Sequence, residues 1–430
     1  MSERSIRDRI PYIKLPAYVK KALEMFEDNG FEAYVVGGAV RDLLRGAEDI
    51  NDYDITTNAL PEETKKVFSG YMIYETGIKH GTVTVNLDGN MLEVTTFRTD
   101  GEYTDSRHPD KVTFTRNIVE DLARRDFTVN AMALSLDGTL VDPFGGVYDL
   151  ADGVICAVGE PEKRFTEDAL RIMRAFRFSA KLCYEIEENT LMATQKCANG
   201  LNNISRERIG VEWEKLLTST FCARPLSYMK RYGVLDVIFS SVDVDACFLP
   251  KIEQLPVRYS VRCAAFLKNV PSDAVASAAE RICLKNVDLN VIRAVLAALS
   301  DIRSNNVRQI NLFAYEYGVN EYYAALIAML EGSASMDFCR ELKKITERGL
   351  PIRSRSDLPV CGDDLILAGG PNRSWLSPAF SLIITKVVCG GLKNEKTAIL
   401  KELPSIVREI ESDVASDPIS WRKMRKYSIK

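Results

Sequence analysis

The stretch YVVGGAVRDLLRGAEDINDYDITT, residues 34–57, decides the predicted fold. It opens with a β-branched run that meets Gly37 and Gly38, continues as a short amphipathic helix signal, and closes on a strand-like segment around Asp54. Glycines between a strand and a helix let phosphates approach the backbone, and the start of a helix carries a positive dipole. The order of these features predicts a phosphate-binding turn.

Two acids near the end of this stretch indicate a metal site. Asp52 and Asp54 are two residues apart, and side chains at i and i+2 of a strand share a face, roughly 7 Å apart. Two carboxylates placed in this way can hold a divalent cation, as two-metal phosphoryl or nucleotidyl transfer requires. Each feature has an ordinary alternative, because a Gly-Gly pair is commonly a tight turn and an Asp-x-Asp is commonly a solvated loop.

Length and composition restrict the class of protein. At 430 residues the chain is too long for one core, and a prior of about 150 residues per domain suggests three or four domains. The N-terminal segment has no apolar core of the kind that a signal peptide carries, and the most apolar late stretch, residues 380–388, is too short to span a bilayer. We therefore expect a cytoplasmic protein without a membrane-spanning segment.

Cysteine, histidine and charge exclude several kinds of site. The ten cysteines include no Cys-x-x-Cys pair, which indicates reduced, mostly buried thiols and not a disulfide framework or a zinc site. The chain has only two histidines, His80 and His108, so a histidine-rich metal centre is excluded. The net charge of −4 excludes a general basic coat, so an RNA partner would have to be bound by local basic patches.

Hydrophobic periodicity predicts an α+β head followed by helices. Helical patterns cover residues 15–26 and 61–68, and β-branched strand patterns cover 80–87 and 91–97, joined by an Asp-Gly-Asn turn. From about Phe165 the pattern becomes helical and remains so. We expect a mixed, antiparallel-leaning sheet backed by helices in the head, and an all-α remainder.

The words GGAVRD and DYDITT, one short helix apart, resemble the nucleotidyltransferase signature of the polymerase-β superfamily. They more closely resemble the class II tRNA nucleotidyltransferase and bacterial poly(A) polymerase family, specifically over residues 15–217 and loosely beyond. The resemblance implies template-independent addition of CMP, CMP and AMP, from CTP and ATP, to the 3′ end of tRNA. It also implies that Asp52, Asp54 and Glu93 (in the run EVTTFR) are the catalytic carboxylates and bind Mg²⁺.

Further motifs imply where the nucleotide binds. In the family, the string RRDFTVNA of residues 124–131 binds the ribose and phosphates, and EDALR of residues 167–171 matches the motif that reads the incoming base. Arginines suit triphosphate oxygens, and an aspartate can accept from a ribose hydroxyl. The nucleotide-binding positions implied by the resemblance are Gly37, Gly38, Arg41, Arg124, Arg125, Asp126, Asn130, Asp168, Arg171 and Arg174.

The EDALR segment also has a purely structural interpretation. The pattern predicts a helix with Thr166 as its N-cap and with Glu167 and Asp168 in its first turn, where acids suit the helix dipole without any chemistry. Alternatively, Arg171 lies one turn after Asp168 on the same side of that helix, and the two residues form a base-reading pair. Both interpretations remain open from the sequence.

The expected organisation is a catalytic head (residues 1–151), a neck with the base-reading motif (152–218), a body (219–345) and a tRNA-binding tail (346–430). A polar loop at residues 99–111 corresponds to a mobile loop that, in the family, separates enzymes completing CCA from those stopping after CC. We expect tRNA, CTP and ATP as partners, and neither DNA nor a membrane. The alternatives are a CC-adding or A-adding specialist, a bacterial poly(A) polymerase, and a catalytically silent RNA-binding homologue.

Overall fold

The structure is a computed structural model that describes residues 3–10, 13–50, 52–100, 112–239, 242, 244–271, 273–304, 309–318, 320–370 and 373–416. The chain forms two compact units, Met1–Arg262 with Asn269–Lys285, and Cys263–Lys268 with Asn286–Lys430. Within the described ranges, no helix is long and apolar enough to cross a membrane. The part of the predicted 99–111 loop from residue 101 onward lies outside the described residues.

The first part of unit 1 contains the main sheet. Its helices and strands are α1 (Glu3–Arg7), α2 (Ala17–Asp28), β1 (Ala33–Val36), α3 (Gly38–Leu44), β2 (Asp54–Thr57), α4 (Pro61–Val67), β3 (Met72–Tyr74), β4 (Thr82–Leu87), β5 (Asn90–Thr96), β6 (Arg98–Asp100), β7 (Val112–Phe114), α5 (Ile118–Ala123), β8 (Ala133–Leu134), β9 (Leu140–Val141) and α6 (Gly146–Asp152). Two 3₁₀ turns lie at Ile78–His80 and Thr128–Asn130.

Seven of these strands form one mixed sheet in the order β3-β4-β5-β2-β1-β8-β9. The β2–β5 pair is parallel, and the other five pairs described in the sheet are antiparallel. Strands β6 and β7 form a separate antiparallel pair, so Thr99, predicted in a loop, lies in a strand. The mixed, antiparallel-leaning sheet of the head is confirmed.

Local sequence explains the β4–β5 hairpin. Along β4, Val83, Val85 and Leu87 are buried and alternate with half-exposed polar residues, which is the pattern of a strand with one face on the core. The two connecting residues, Asp88 and Gly89, have φ values of 54° and 88°. Positive φ at both loop positions matches the right-handed twist of the flanking strands, and Asp-Gly is a favoured pair for this turn.

In the rest of unit 1, the described residues form helices and one short parallel strand pair. Its elements are β10 (Val154–Ile155), α7 (Pro161–Glu167), α8 (Leu170–Leu182), β11 (Glu185–Ile186), α9 (Glu188–Cys197), α10 (Arg206–Leu217), α11 (Ala223–Arg231), α12 (Val234–Ile238), α13 (Tyr259–Phe266) and α14 (Val275–Arg281), with 3₁₀ segments at Ala198–Asn203 and Leu249–Gln254. Strand β10 pairs with β11 through two residues. Helix α13 ends in unit 2.

The elements of unit 2, in its described residues, are all helices joined by turns and irregular segments. Its elements are α15 (Asn286–Arg303), α16 (Ile310–Tyr317), α17 (Asn320–Glu331), α18 (Met336–Arg348), α19 (Gly362–Leu367), α20 (Leu376–Val388) and α21 (Lys396–Ser416), with 3₁₀ turns at Arg355–Asp357 and Arg373–Trp375. The apolar faces of α20 and α21 meet in a core that includes Trp375, Phe380, Ile399 and Ile406. The helical remainder of the fold prediction is confirmed.

One prediction from composition is partly wrong. All ten cysteines are free thiols, as expected, but only Cys222, Cys263 and Cys339 are buried. Five are exposed and two are half-buried. The prediction relied on cysteine being among the most buried residue types on average. That average does not fix the exposure of individual cysteines at helix ends and in loops.

Candidate active site

The predicted catalytic acids lie on neighbouring strands. Asp54 is the first residue of β2, and it is the direct partner of Glu93 on β5 in the parallel register and of Val36 on β1. Paired residues on adjacent strands point to the same face, so the two carboxylates are side by side. Asp52 precedes β2 and is exposed, which corrects the expectation that both aspartates lie within the strand.

The electrostatics of Asp54 show that negative charge accumulates here. Burial, reinforced by the charges of Asp52 and Glu93 and opposed by Arg125, raises the pKa of Asp54 to about 6. A carboxylate whose like-charged neighbours raise its pKa favours a nearby cation. All three side chains offer the hard oxygen ligands that Mg²⁺ prefers, so the donor set fits this ion.

The three predicted metal ligands do not already form a coordination site in this structure. Across the described ranges of the chain, no group of three or more His, Cys, Asp or Glu side chains is placed so that it could hold a metal ion. Asp52, Asp54 and Glu93 are therefore neighbours without converging on one point, and side-chain rotation would have to bring them together.

The glycine pair lies against two predicted nucleotide-binding arginines. Gly37 has φ 75° and precedes α3, and a Cβ there would lie 3.2 Å from Nη1 of Arg125. A Cβ at Gly38 would lie 3.4 Å from Nη2 of Arg41. The positive φ and the close guanidinium together explain glycine at position 37, because a side chain would be strained and crowded there.

Arg124 and Arg125 are anchored by an acid that the motif analysis did not select. Asp121, completely buried in α5, accepts from Nε (3.0 Å) and Nη2 (2.8 Å) of Arg124 and from Nη2 of Arg125 (3.3 Å). Burial alone would raise the pKa of Asp121, but the two guanidiniums outweigh it and the pKa is lowered. Nε of Arg125 is buried without a hydrogen-bond partner, so this arginine retains donor capacity next to Asp54.

A second buried chain of polar contacts links α3 to α8. Asp126 accepts from Nε of Arg174 at 2.7 Å through one oxygen, and from Nδ2 of Asn130 at 3.2 Å through the other. The side-chain carbonyl of Asn130 accepts from Nη1 of Arg41 at 2.6 Å. The sequence-based role of Asp126, accepting from a ribose hydroxyl, stays a prediction, because in this structure both carboxylate oxygens are already used by protein donors.

Asp126 is expected to support folding in a pH-dependent way. Burial alone would raise its pKa, but Arg174 and Asn130 outweigh it and hold the pKa at about 2. A carboxyl with a depressed pKa in the folded state stabilises the fold above its ordinary pKa, and this contribution is lost as the pH falls from about 4 to about 2. Asp126→Asn should therefore reduce the free energy of unfolding at pH 7 by on the order of 2 kcal/mol.

Urea unfolding at pH 7 and at pH 3 measures this effect. The difference between parent and variant should shrink at the lower pH. Asp28→Asn, at the exposed end of α2, is the matched control and should leave both curves unchanged. An equal destabilisation by Asp126→Asn at both pH values would show that the carboxylate charge is not what stabilises the fold.

The predicted base-reading residues are held differently from the sequence expectation. Helix α7 ends at Glu167 and α8 begins at Leu170, so Thr166 lies in the last turn of α7 and is not an N-cap. Asp168 lies between the helices and accepts from the backbone N–H of Leu170 at 3.1 Å. The prediction of one helix that begins after Thr166 and has Glu167 and Asp168 in its first turn is wrong, because an extended backbone at Asp168 separates two helices.

The two side chains of this motif have separate protein partners. Arg171 donates through Nη1 to Glu167 (2.9 Å) and through Nη2 to the backbone carbonyl of Arg124 (2.7 Å). Asp168 forms an ion pair with Nη2 of Arg208 on α10 at 2.8 Å. Nη1 of Arg208 is buried without a hydrogen-bond partner. Asp168, the acceptor, and Arg171, the donor, are therefore held in place by their separate protein partners. They do not lie one turn apart on a single helix.

Helix α10 supplies a further buried acid to the network. Glu212 forms an ion pair with Arg177 and lies 3.9 Å from Arg174. Beneath these arginines lies Phe178, with guanidinium carbons of Arg177 and Arg174 at 3.9 and 5.3 Å from its ring centroid. The motif analysis missed Asp121, Arg208 and Glu212. The last two lie in the run SRERIGVEWEKLL of residues 205–217, where charged residues among apolar ones were the available signal.

Comparisons with known proteins assign the family. Sequence models match residues 33–156 (Poly A polymerase head domain), 183–245 ("Probable RNA and SrmB- binding site of polymerase A") and 272–403 (tRNA nucleotidyltransferase domain 2). The CCA-adding enzyme of Geobacillus sp. (strain WCH70) is 37% identical over 398 residues, which cover 88% of this chain and 94% of that protein. The chain belongs to the CCA-adding enzyme family. Another member, from Ligilactobacillus salivarius (strain UCC118), is 35% identical, with 92% of this chain and 98% of that protein covered.

A solved structure of the same family agrees with this assignment. The crystal structure of the Bacillus stearothermophilus CCA-adding enzyme in complex with CTP matches with a TM-score of 0.77 and 33% sequence identity, covering 93% of this chain and 100% of that one. The match to the head-domain model includes the predicted carboxylates, the glycine pair and Asn130. Asp168, Arg171 and Arg174 lie between the first two matched segments.

Proposed function

We propose that this protein adds CMP, CMP and AMP, from CTP and ATP, to the 3′ end of tRNA without a nucleic-acid template, and releases pyrophosphate. The single observation that carries the proposal is the register of Asp54 with Glu93 beside Gly37 and Arg125, in a member of the CCA-adding enzyme family. This arrangement places acids for a metal next to cations for a triphosphate.

The catalytic carboxylates of the proposed reaction are Asp52, Asp54 and Glu93. They would hold Mg²⁺, which when bound supplies activation of the RNA 3′-hydroxyl and neutralisation of the triphosphate charge. Arg125 contributes the unused Nε donor next to Asp54, and Arg124 contributes a second guanidinium fixed by the same buried acid. Fixed donors favour the transferred phosphoryl group because little reorganisation is needed when charge develops.

The neck residues select the incoming base. Cytosine and adenine each present an exocyclic amino donor beside a ring-nitrogen acceptor, while uracil and guanine present a carbonyl beside an N–H. Asp168 is an acceptor and Arg171 a donor, so together they suit C and A. A buried chain of hydrogen bonds links α8, which carries Arg171, to α3, which follows the glycine turn; its members are Arg174, Asp126, Asn130 and Arg41.

Each of the four segments predicted from the sequence has its own proposed role. The head (1–151) performs transfer, the neck (152–218) reads the base, and the body and tail (219–345 and 346–430) bind tRNA. The family match over residues 272–403 to a tRNA nucleotidyltransferase domain supports the assignment of the last two segments.

Product analysis tests the proposal directly. Labelled CTP and ATP are supplied, with Mg²⁺, to tRNA ending at the discriminator base, at CC and at CCA, and products are resolved to single nucleotides. We expect exactly three additions to the first, one to the second and none to the third, with no product when EDTA is present. A DNA copy of the acceptor stem is the control for RNA and should not be extended.

Each alternative function gives a different pattern of product lengths. A CC-adding specialist stops after two residues, an A-adding specialist extends only the tRNA ending in CC, and a poly(A) polymerase makes long products from ATP alone. A silent homologue gives no product from any RNA. Any of these patterns contradicts the proposed function.

A further inference from the structure

The solvent-facing side of β3, β4 and β5 carries an unusual set of side chains. The strand register aligns Met72, Asn86 and Met91 in one row across the sheet. The adjacent row on the same face runs from Tyr74 through Thr84 to Glu93, and continues to Asp54 on β2. One row of this face therefore ends at the catalytic acids.

Three large apolar side chains on this face are open to solvent. Met72 is 61% exposed, Met91 53% and Tyr74 41%, and the Tyr74 hydroxyl donates to the sulfur of Met72 at 2.9 Å. The opposite face of the same strands is the buried one, with Val83, Val85, Leu92 and Val94 in the core. A cluster of exposed apolar groups on one face marks a binding surface more often than isolated ones do.

The chemistry of these rows suits a nucleobase better than a phosphate. Between the apolar residues lie only the neutral side chains of Thr84 and Asn86, and Glu93 is the one charged residue that the two rows contain on β3–β5. Without a cation to neutralise it, a phosphate would gain nothing here. Aromatic side chains stack with any base, because every base has a π-face.

The position of the surface assigns it to the RNA and not to the nucleotide. In the sheet order, β1 with its Gly37 turn lies on one side of β2, and β5, β4 and β3 lie on the other. The cations for the triphosphate lie on the β1 side, where the Arg125 guanidinium lies next to the Gly37 turn. The 3′-hydroxyl that attacks must reach the same carboxylates, so the open flank is left for the RNA end.

We propose that Tyr74, with Met72 and Met91, forms a stacking platform for the base of one of the last two nucleotides of the unpaired RNA 3′ end. Tyr74 is two strand spacings from Glu93, roughly 10 Å, which is within reach of a nucleotide next to the reacting hydroxyl. Stacking tolerates any base, and the end that this enzyme holds changes with every addition. The inference rests on the proposed function and extends it to the second substrate.

The first experiment compares Tyr74→Ala with Tyr74→Phe in CMP addition. Loss of stacking should lower kcat/KM for tRNA about 5- to 100-fold in the alanine variant, while phenylalanine keeps wild-type behaviour. The KM for CTP at saturating tRNA should not change in either variant. Tyr148→Ala, which removes a 54% exposed tyrosine from α6, is the matched control and should behave as the parent.

The second experiment removes the partner of the platform. Equilibrium binding is measured with tRNA that is abasic in both of its last two positions, and with intact tRNA. Tyr74→Ala should weaken binding of the intact RNA and have no further effect on the abasic one, because the two changes delete the same contact. Equal loss with both RNAs, or no loss with either, overturns the platform. Failure of the proposed function appears separately, as absence of CMP addition by the parent protein.

Discussion

Asp54→Asn is expected to lower the rate of both CMP and AMP addition by about 10³-fold, because it removes the carboxylate of the candidate metal site that is paired in register with Glu93. The loss should be the same for both nucleotides, since the metal acts on the phosphates and on the 3′-hydroxyl and not on the base. Single-turnover rates at saturating Mg²⁺, with each nucleotide separately, measure it.

The same substitution should not harm the fold. The pKa of Asp54 is raised to about 6, so the folded protein holds a proton more tightly than the unfolded chain. For an acid with a raised pKa, stability falls as the pH rises from about 4 to about 6, and the charged form is unfavourable at neutral pH. Without metal at pH 7, Asp54→Asn should therefore unfold at an equal or higher temperature than the parent.

Metal binding gives an independent readout of this site. Mg²⁺ should raise the melting temperature of the parent, because an ion that binds only the folded state stabilises it, and the rise should be much smaller in Asp54→Asn. Asp49→Asn, an exposed acid five residues earlier, is the matched control and should keep both the activity and the Mg²⁺ effect. Parent-like turnover in Asp54→Asn would remove Asp54 from the metal site.

Asp168→Asn is expected to raise the use of UTP relative to CTP at least tenfold. The amide presents a donor where the carboxylate could only accept, so a carbonyl-bearing base becomes tolerated and the preference for an amino group is lost. A mismatch between buried polar groups costs roughly 1–3 kcal/mol for each group. The ratio of kcat/KM values for UTP and CTP, on the same tRNA, measures the change.

The structure explains why this single change is preferred to removal of Arg171. Arg171 donates to backbone carbonyls of Arg124 and Arg164, so its truncation would leave buried acceptors unsatisfied and disturb the fold. Asparagine at 168 can still accept from the N–H of Leu170. Asp236→Asn, an exposed acid paired with Lys230, is the control and should leave the ratio unchanged. A parent-like UTP to CTP ratio in Asp168→Asn would show that Asp168 serves only its structural contacts with the Leu170 N–H and with Arg208.

Much of the head could be predicted because its signals are local. The turn at Gly37, the hairpin at Asp88 and Gly89, and the alternation along β4 each depend on the backbone preferences or the periodicity of a few consecutive residues. Candidate site residues could be chosen from short motifs for the same reason. The sequence by itself therefore determined the mixed sheet, the helical remainder and the family.

The contacts of the charged residues were decided only by the tertiary structure. Arg208 reaches Asp168 across 40 residues, and Arg174 reaches Asp126 across 48. Nothing in the local pattern of either helix specifies such a partner, because the partner of a buried charge depends on which helices and strands pack together. The break between α7 and α8 has the same origin. Acids suit the first turn of any helix, and only the packed structure placed Asp168 in an extended backbone with Arg208 beside it.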